Sequence, residues 1–206
     1  MKRILSTACV AAFALCASGL PAAAADGPVA SLDPRVKFKD GERLLRDLSL
    51  ALDIPRDRIC KELGRYDCFN EAFKIVLGGV DAEYLGINQP LAQEALTAPI
   101  AVDRVALQVC TTRVQMDIAD PSKAVLLKAQ ARPSRGKPPT AWMRQTSAGI
   151  YETILGREPT KSETTELVRF YGKTARTGGK ANPDAVKDWV TLGCFAVASS
   201  LENVFY

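Results

Sequence analysis

"DRVALQVC", residues 103–110, and "DWVTLGCF", residues 188–195, write the pattern Asp-x-Val-x-Leu followed by cysteine twice in one chain. The first copy carries Asp103, Val105, Leu107 and Cys110; the second carries Asp188, Val190, Leu192 and Cys194. Around each copy the apolar residues recur at helical spacing. From about Ile100 to Ile118, Val102, Val105, Val109 and Met116 form one stripe and Leu107, Cys110, Val114 and Ile118 a second beside it. Arg104, Gln108, Thr111 and Gln115 form a narrow polar strip. A helix apolar around most of its circumference belongs in the middle of a bundle. The second copy reads as a final helix running almost to the end, with Val186, Trp189, Val190, Val197, Leu201 and Val204 turned inward.

A second echo accompanies the first. "FKIVLG" (73–78) and "YETILG" (151–156) share aromatic-x-x-Val/Ile-Leu-Gly, each reading as a helix closed on glycine. One reading is a duplicated unit, with halves 39–127 and 140–206; the other is coincidence among common helix residues. If the halves are equivalent, the two long helices lie side by side. Their cysteines stand at Asp+7 and Asp+6, one residue or about 100° apart around a helix, so facing flanks could still bring them together.

The chain opens "MKRILSTACVAAFALCASGLPAAAADG": Lys2 and Arg3, an apolar run, then the small-residue pair Ala23 and Ala25. That is the form of a secretory leader, 1–25, cleaved before Asp26. Leu15 before Cys16 argues against lipidation there. Removing it leaves 181 of the 206 residues, enough for one domain with a substantial core. The leader takes two bases and no acid with it, leaving 25 basic against 23 acidic residues. So small an excess argues against a nucleic-acid binder. No later segment reaches the roughly 18 uninterrupted apolar residues of a membrane span.

Cys9 and Cys16 leave with the leader; Cys60, Cys68, Cys110 and Cys194 remain. In an oxidising compartment an even set is read as disulfides. The expected bridges are Cys60–Cys68, local, and Cys110–Cys194, across the halves, although four cysteines allow three pairings. The chain has no histidine. That removes imidazole catalysis, a His-bearing zinc site and a C-x-x-C-H haem attachment. No metal or cofactor is expected.

The remaining segments read as an extended arm over 26–38, then helices. Leu44, Leu45, Leu48 and Leu52 share a face after Asp40, and Pro55 ends or restarts that helix. "PRDRICKELG" reads as a short helix stopped by Gly64, and Asp67 as the cap of a helix through "DCFNEAFKIVLGG". Residues 80–99 read as loop, and Thr140 as the cap of "AWMRQTSAGIYETILG". "TKSE" (160–163) is a capping box, and "RTGGKANP" a turn with Asn182 as cap and Pro183 at the first helical position. No strand is evident. The class is all-α: a disulfide-stapled helical bundle in a single domain, 39–206.

Candidate chemistry is sparse. Asp67 and Glu71, one helical turn apart, could form a general acid/base pair, and Asp81 with Glu83 a carboxylate site or calcium loop; no calcium-loop pattern surrounds the latter, and capping and solvated surface charge are the favoured account of both pairs. Ser147, Ser162, Ser199 and Ser200 lack a base, and Gly78-Gly79 and Gly178-Gly179 match no phosphate loop and read as helix stops. The proline-rich segment 128–139 carries Lys128, Arg132, Arg135 and Lys137 with no acid among them, a possible interaction loop for an anionic partner.

"YETILGREPTKSETTELVRFYGK" followed by "DWVTLGCFAVASSLENVFY" resembles the C-terminal helix pair of cytochrome-c-associated domain-of-unknown-function families of secreted planctomycete and myxobacterial proteins. The likeness covers about residues 148–206. It rests on Leu155 to Thr160 with Glu163, and on Glu202 to Tyr206. It implies an exported helical module that keeps company with c-type cytochromes. The absence of a haem motif would make any redox role an accessory one, and no catalytic residue carries over.

These readings converge on an exported, non-enzymatic binding or structural protein of the bacterial cell envelope, periplasmic or extracellular, with a protein partner. The alternatives are an accessory subunit of a c-type cytochrome or other electron-transfer assembly, and a carboxylate-dependent enzyme using Asp67, Glu71, Asp81 and Glu83.

Overall fold

A computed structural model describes residues 37–90, 97–127 and 137–206. The leader, most of the expected arm and most of the basic segment lie outside these residues. In chain order the helices are α1 (Gly41–Ala51), α2 (Ala98–Ala119), α3 (Thr140–Leu155), α4 (Lys161–Thr174), α5 (Ala185–Ala198) and α6 (Leu201–Val204). Two hairpins are minor additions, β1 (Lys61–Glu62) with β2 (Tyr66–Asp67) and β3 (Arg176–Thr177) with β4 (Lys180–Ala181). The protein is mostly helical, as expected.

The Asp-x-Val-x-Leu helices are α2 and α5, and they pack against each other. Val105, Val190, Cys110 and Cys194 have no solvent exposure, and Cys110–Cys194 joins the two helices with Cα atoms 5.8 Å apart. The second bridge is Cys60–Cys68. Both expected pairings are present. α5 also packs against α3 and α4. Trp189 of α5 fills the space between them, with its Nε1–H donating to Leu167 O at 2.7 Å and its ring near Trp142 and Tyr171.

The equivalence of the halves stops at those two helices. "YETILG" ends α3 on Gly156, whereas "FKIVLG" is a series of turns. The helix expected over 67–79 is a single wide turn, Cys68–Ala72, closed by Phe73 N–H to Cys68 O at 2.8 Å. Asp67 does cap it, accepting from the Phe69 and Asn70 N–H groups.

The helix expected over 55–64 is instead a turn leading into the β1–β2 hairpin. Leu63 (φ 53°) and Gly64 (φ 70°) are both left-handed. They are the central residues of a turn closed by Arg65 N–H to Glu62 O at 3.1 Å, within a three-residue hairpin loop. The Cys60–Cys68 bridge lies at the base of that hairpin. Gly178 and Gly179, both at positive φ, turn the chain between β3 and β4 rather than stopping a helix. Asn182 shapes the chain beyond, accepting from Asp184 N–H, but α5 begins only at Ala185.

Other boundaries move slightly. Thr140 is the first residue of α3 rather than its cap. The capping box at Thr160 and Glu163 is present. The last helix breaks at Ser199-Ser200, whose hydroxyls donate back to Phe195 O and Val197 O, while Ser200 Oγ caps α6. That break swings Leu201 outward, to 76 % exposure, against the expectation that it faces inward. Leu107 is likewise outside the core at 42 %.

The end of the chain is extended rather than helical. Lys37 N–H and Tyr206 O, Tyr206 N–H and Lys37 O, and Lys39 N–H and Val204 O pair across an antiparallel bridge. Phe38 and Phe205 meet edge to face above it.

Inside α2 lies a pair that the apolar pattern hid. Arg113 and Asp117, one turn apart, are buried and in ionic contact at 2.7 Å. Arg113 Nη1 donates to Leu52 O and Asp53 O, covering the C-terminal carbonyls of α1. Asp117 accepts from the N–H groups of Val125, Leu126 and Leu127 at 2.8–3.0 Å. The two carbonyls and three N–H groups fill much of the pair's remaining hydrogen-bonding capacity, which makes a buried ion pair tolerable.

Candidate functional site

Two surface clusters gather charged side chains. The first is a cleft of about 540 Å³ beside the Cys68–Ala72 turn, lined by Asn70, Glu71, Lys74, Asp81, Glu83 and Tyr84 among others. Its far wall is a small loop closed by reciprocal backbone hydrogen bonds between Asp81 and Ile87, both 2.9 Å. Asp81 Oδ1 accepts from Tyr84 N–H and sets the turn that projects Tyr84. Glu71 Oε2 accepts from Asp67 N–H at 2.6 Å, completing the reciprocal cap.

Three of the four carboxylates singled out in the sequence, Glu71, Asp81 and Glu83, thus share one cleft. Asp67 faces Lys61 instead, at 3.3 Å. Burial alone would raise the Asp67 carboxyl, but hydrogen bonds from Asn70 N–H, Lys61 and Phe69 N–H outweigh it and the net shift is downward. A general acid at neutral pH needs a shift in the opposite direction. Asp67 is therefore equipped as a cap. Among the described residues no cluster of three or more potential metal ligands occurs.

The second cluster is centred on Arg157, in the connection between α3 and α4. Its guanidinium reaches Glu163 at 2.9 and 3.1 Å, Glu202 at 2.6 Å through both oxygens, and the carbonyl of Glu158. It also lies 5.2 Å from the centre of the Tyr151 ring. One arginine thereby ties the end of α3, the start of α4 and α6. The Arg157 hydrogen bonds hold Glu163 down to about 2 and lower Glu202, and the two carboxylates raise Arg157 further. Burial raises the Tyr151 phenol. Residues 157, 163 and 202 belong to the two separated pieces on which the C-terminal resemblance rests, and the fold brings them into contact. Beside them Leu201, Phe205 and Tyr206 line an apolar surface depression, with Arg43 stacked 3.5 Å over the Tyr206 ring.

Of the expected interaction loop, Lys137 is exposed, and Lys128, Arg132 and Arg135 lie outside the described residues. Ser147 is fully buried and donates to Met143 O, so it is a helix-packing residue. Cys60, Cys68, Cys110 and Cys194 are all buried and bonded. The Arg157 cluster was half-visible in the sequence as the capping box; nothing in the local pattern named Glu202 as a third member.

The chain matches no protein-family model, no curated protein and no solved structure.

Proposed function

We propose that this chain is an exported protein of the cell envelope that works by binding a protein partner and not by catalysis. The observation that carries the reading is the pair of buried disulfides. Bonds of this kind persist in oxidising compartments, and here each closes a structural contact, α2 to α5 and the base of a hairpin. The leader-like start of the sequence supports the same placement. No described helix is long and apolar enough to cross a membrane.

Support for binding over catalysis comes from how the ionisable groups are used. Asp67, Glu163 and Glu202 have lowered carboxyls committed to caps and ion pairs, the wrong poise for proton transfer at neutral pH. The test is affinity capture from an envelope fraction with the mature protein. A partner retained through washing and displaced by excess untagged protein is the expected result; recovery of nothing above background under several conditions counts against it.

A second reading has one specific observation in its favour. The separated residues of the C-terminal resemblance meet at Arg157 on an accessible face, where an accessory subunit of a c-type cytochrome assembly could dock. Co-purifying haem absorbance would favour it, and consistent absence of haem from captured material would retire it.

A further inference from the structure

We propose that the cleft formed by Glu71, Lys74, Asp81, Glu83 and Tyr84 is a docking surface for a basic protein segment with an apolar residue among its cations. This deepens the partner-binding reading and rests on it. Three carboxylates line the cleft against one cation, Lys74. None of the three makes an ion pair among the described residues, although ten other carboxylates there do find an arginine or lysine, Glu42 and Glu62 included.

Concentrated charge of one sign in a concave wall attracts the opposite sign and fixes its register. The apolar component is equally local. Tyr84 is 82 % exposed and Leu85 62 %, adjacent residues at the rim, with Val80 beside them. An exposed tyrosine face next to carboxylates suits an arginine, which can stack on the ring while pairing with the acid.

A bare metal ion fits poorly, because among the described residues no three carboxylates gather closely enough to hold one. An extended chain that spaces its cations along the wall satisfies all three. The acids also differ in their other duties. Glu71 and Asp81 hold backbone N–H groups, whereas Glu83 makes no hydrogen bond or ion pair among the described residues and is free for a partner.

The test uses the full mature protein and a short fluorescein-labelled peptide that intersperses arginine with leucine, beside a counterpart with glutamate in place of arginine. Fluorescence anisotropy should show binding of the first peptide only. Binding should weaken steeply between about 0.1 M and about 1 M salt, as the screening length falls from about 10 Å to about 3 Å. Glu83→Lys and Tyr84→Ala should each weaken it about three- to tenfold, and Lys74→Glu should tighten it about threefold. The gain from Lys74→Glu is a result that misfolding cannot produce. Equal binding of both peptides, or affinities unmoved by Glu83→Lys and Lys74→Glu, overturns the proposal. If an envelope partner is captured and Glu83→Lys retains it fully, the cleft is the wrong surface while the binding reading stands. If the peptide arms behave as expected but no envelope partner is captured, the cleft stands and the broader reading fails.

Discussion

Replacing Asp117 with alanine should destabilise the protein far more than the loss of a surface carboxylate nearby. The carboxylate is buried in α2, faces Arg113 at 2.7 Å and accepts three consecutive backbone N–H groups, of Val125, Leu126 and Leu127. Taken one by one, hydrogen bonds to a charged group are worth about 1.5–3 kcal/mol each, but one loop supplies all three and can partly re-solvate, so their sum is not the cost. The bound comes from the partner left behind. A buried charge stripped of its counter-ion costs about 3–5 kcal/mol, and Arg113 retains only the carbonyls of Leu52 and Asp53. We expect a loss of about 4 kcal/mol. At about 2–4 °C per kcal/mol for a chain of this size that lowers the melting midpoint by about 8–16 °C. Asp120→Ala is the control: it lies three residues further on, caps Ser122 at the surface and should cost about 1 kcal/mol or less. Urea unfolding under non-reducing conditions reads both. An Asp117→Ala loss no larger than that of Asp120→Ala would refute the role given to the buried pair.

Three further outcomes follow from the same structure. Replacing Cys110 and Cys194 together by alanine should cost roughly 4–5 kcal/mol on the chain-entropy model, and replacing Cys60 and Cys68 roughly 2–3, because the bridges span 84 and 8 residues; urea midpoints of the two double variants check the order. The Glu163 carboxyl is lowered from 4.5 to about 2 in the folded protein, so its contribution is fully present above pH 4.5 and lost as pH falls through about 2; melting midpoints across that window should fall less in Glu163→Gln than in the parent. Gly79→Ala should cost about 1–3 kcal/mol, because a Cβ there would lie 2.6 Å from the backbone oxygen of Lys74; an unchanged thermal midpoint would show that the turn can relax.

What could be read in the sequence followed residue chemistry that acts locally. Caps at Asp67 and Thr160, the apolar girth of α2 and the even cysteine count each stated their role without reference to the rest of the chain. Gly64 and Gly178-Gly179 misled because a helix C-terminus and a tight hairpin both demand left-handed backbone, and glycine serves either. Which one forms depends on what the flanking strands pair with. Leu201 misled because the periodicity was carried through Ser199-Ser200, whose hydroxyls bond to the preceding turn and break the helix there. Arg113 and Asp117 were invisible because a pattern of polar and apolar residues assigns charges to the outside, and their burial depends on partners elsewhere in the chain, the carbonyls of Leu52 and Asp53 and the loop at 125–127. In the candidate sites, the shared cleft of Glu71, Asp81 and Glu83 depends on the loop closure between Asp81 and Ile87, and the Arg157 cluster on a contact 45 residues away. Neither of those two contacts leaves a local trace; the capping box announced Glu163 alone.

The central claim is that two particular sulfur bridges lock this helical bundle. Peptide mapping by mass spectrometry of the unreduced protein, alkylated before digestion, tests it most directly. The account predicts linked peptides joining Cys60 to Cys68 and Cys110 to Cys194 and no alkylated cysteine among the four; alkylation of all four, or a bridge from the hairpin to α2 or α5, would contradict it.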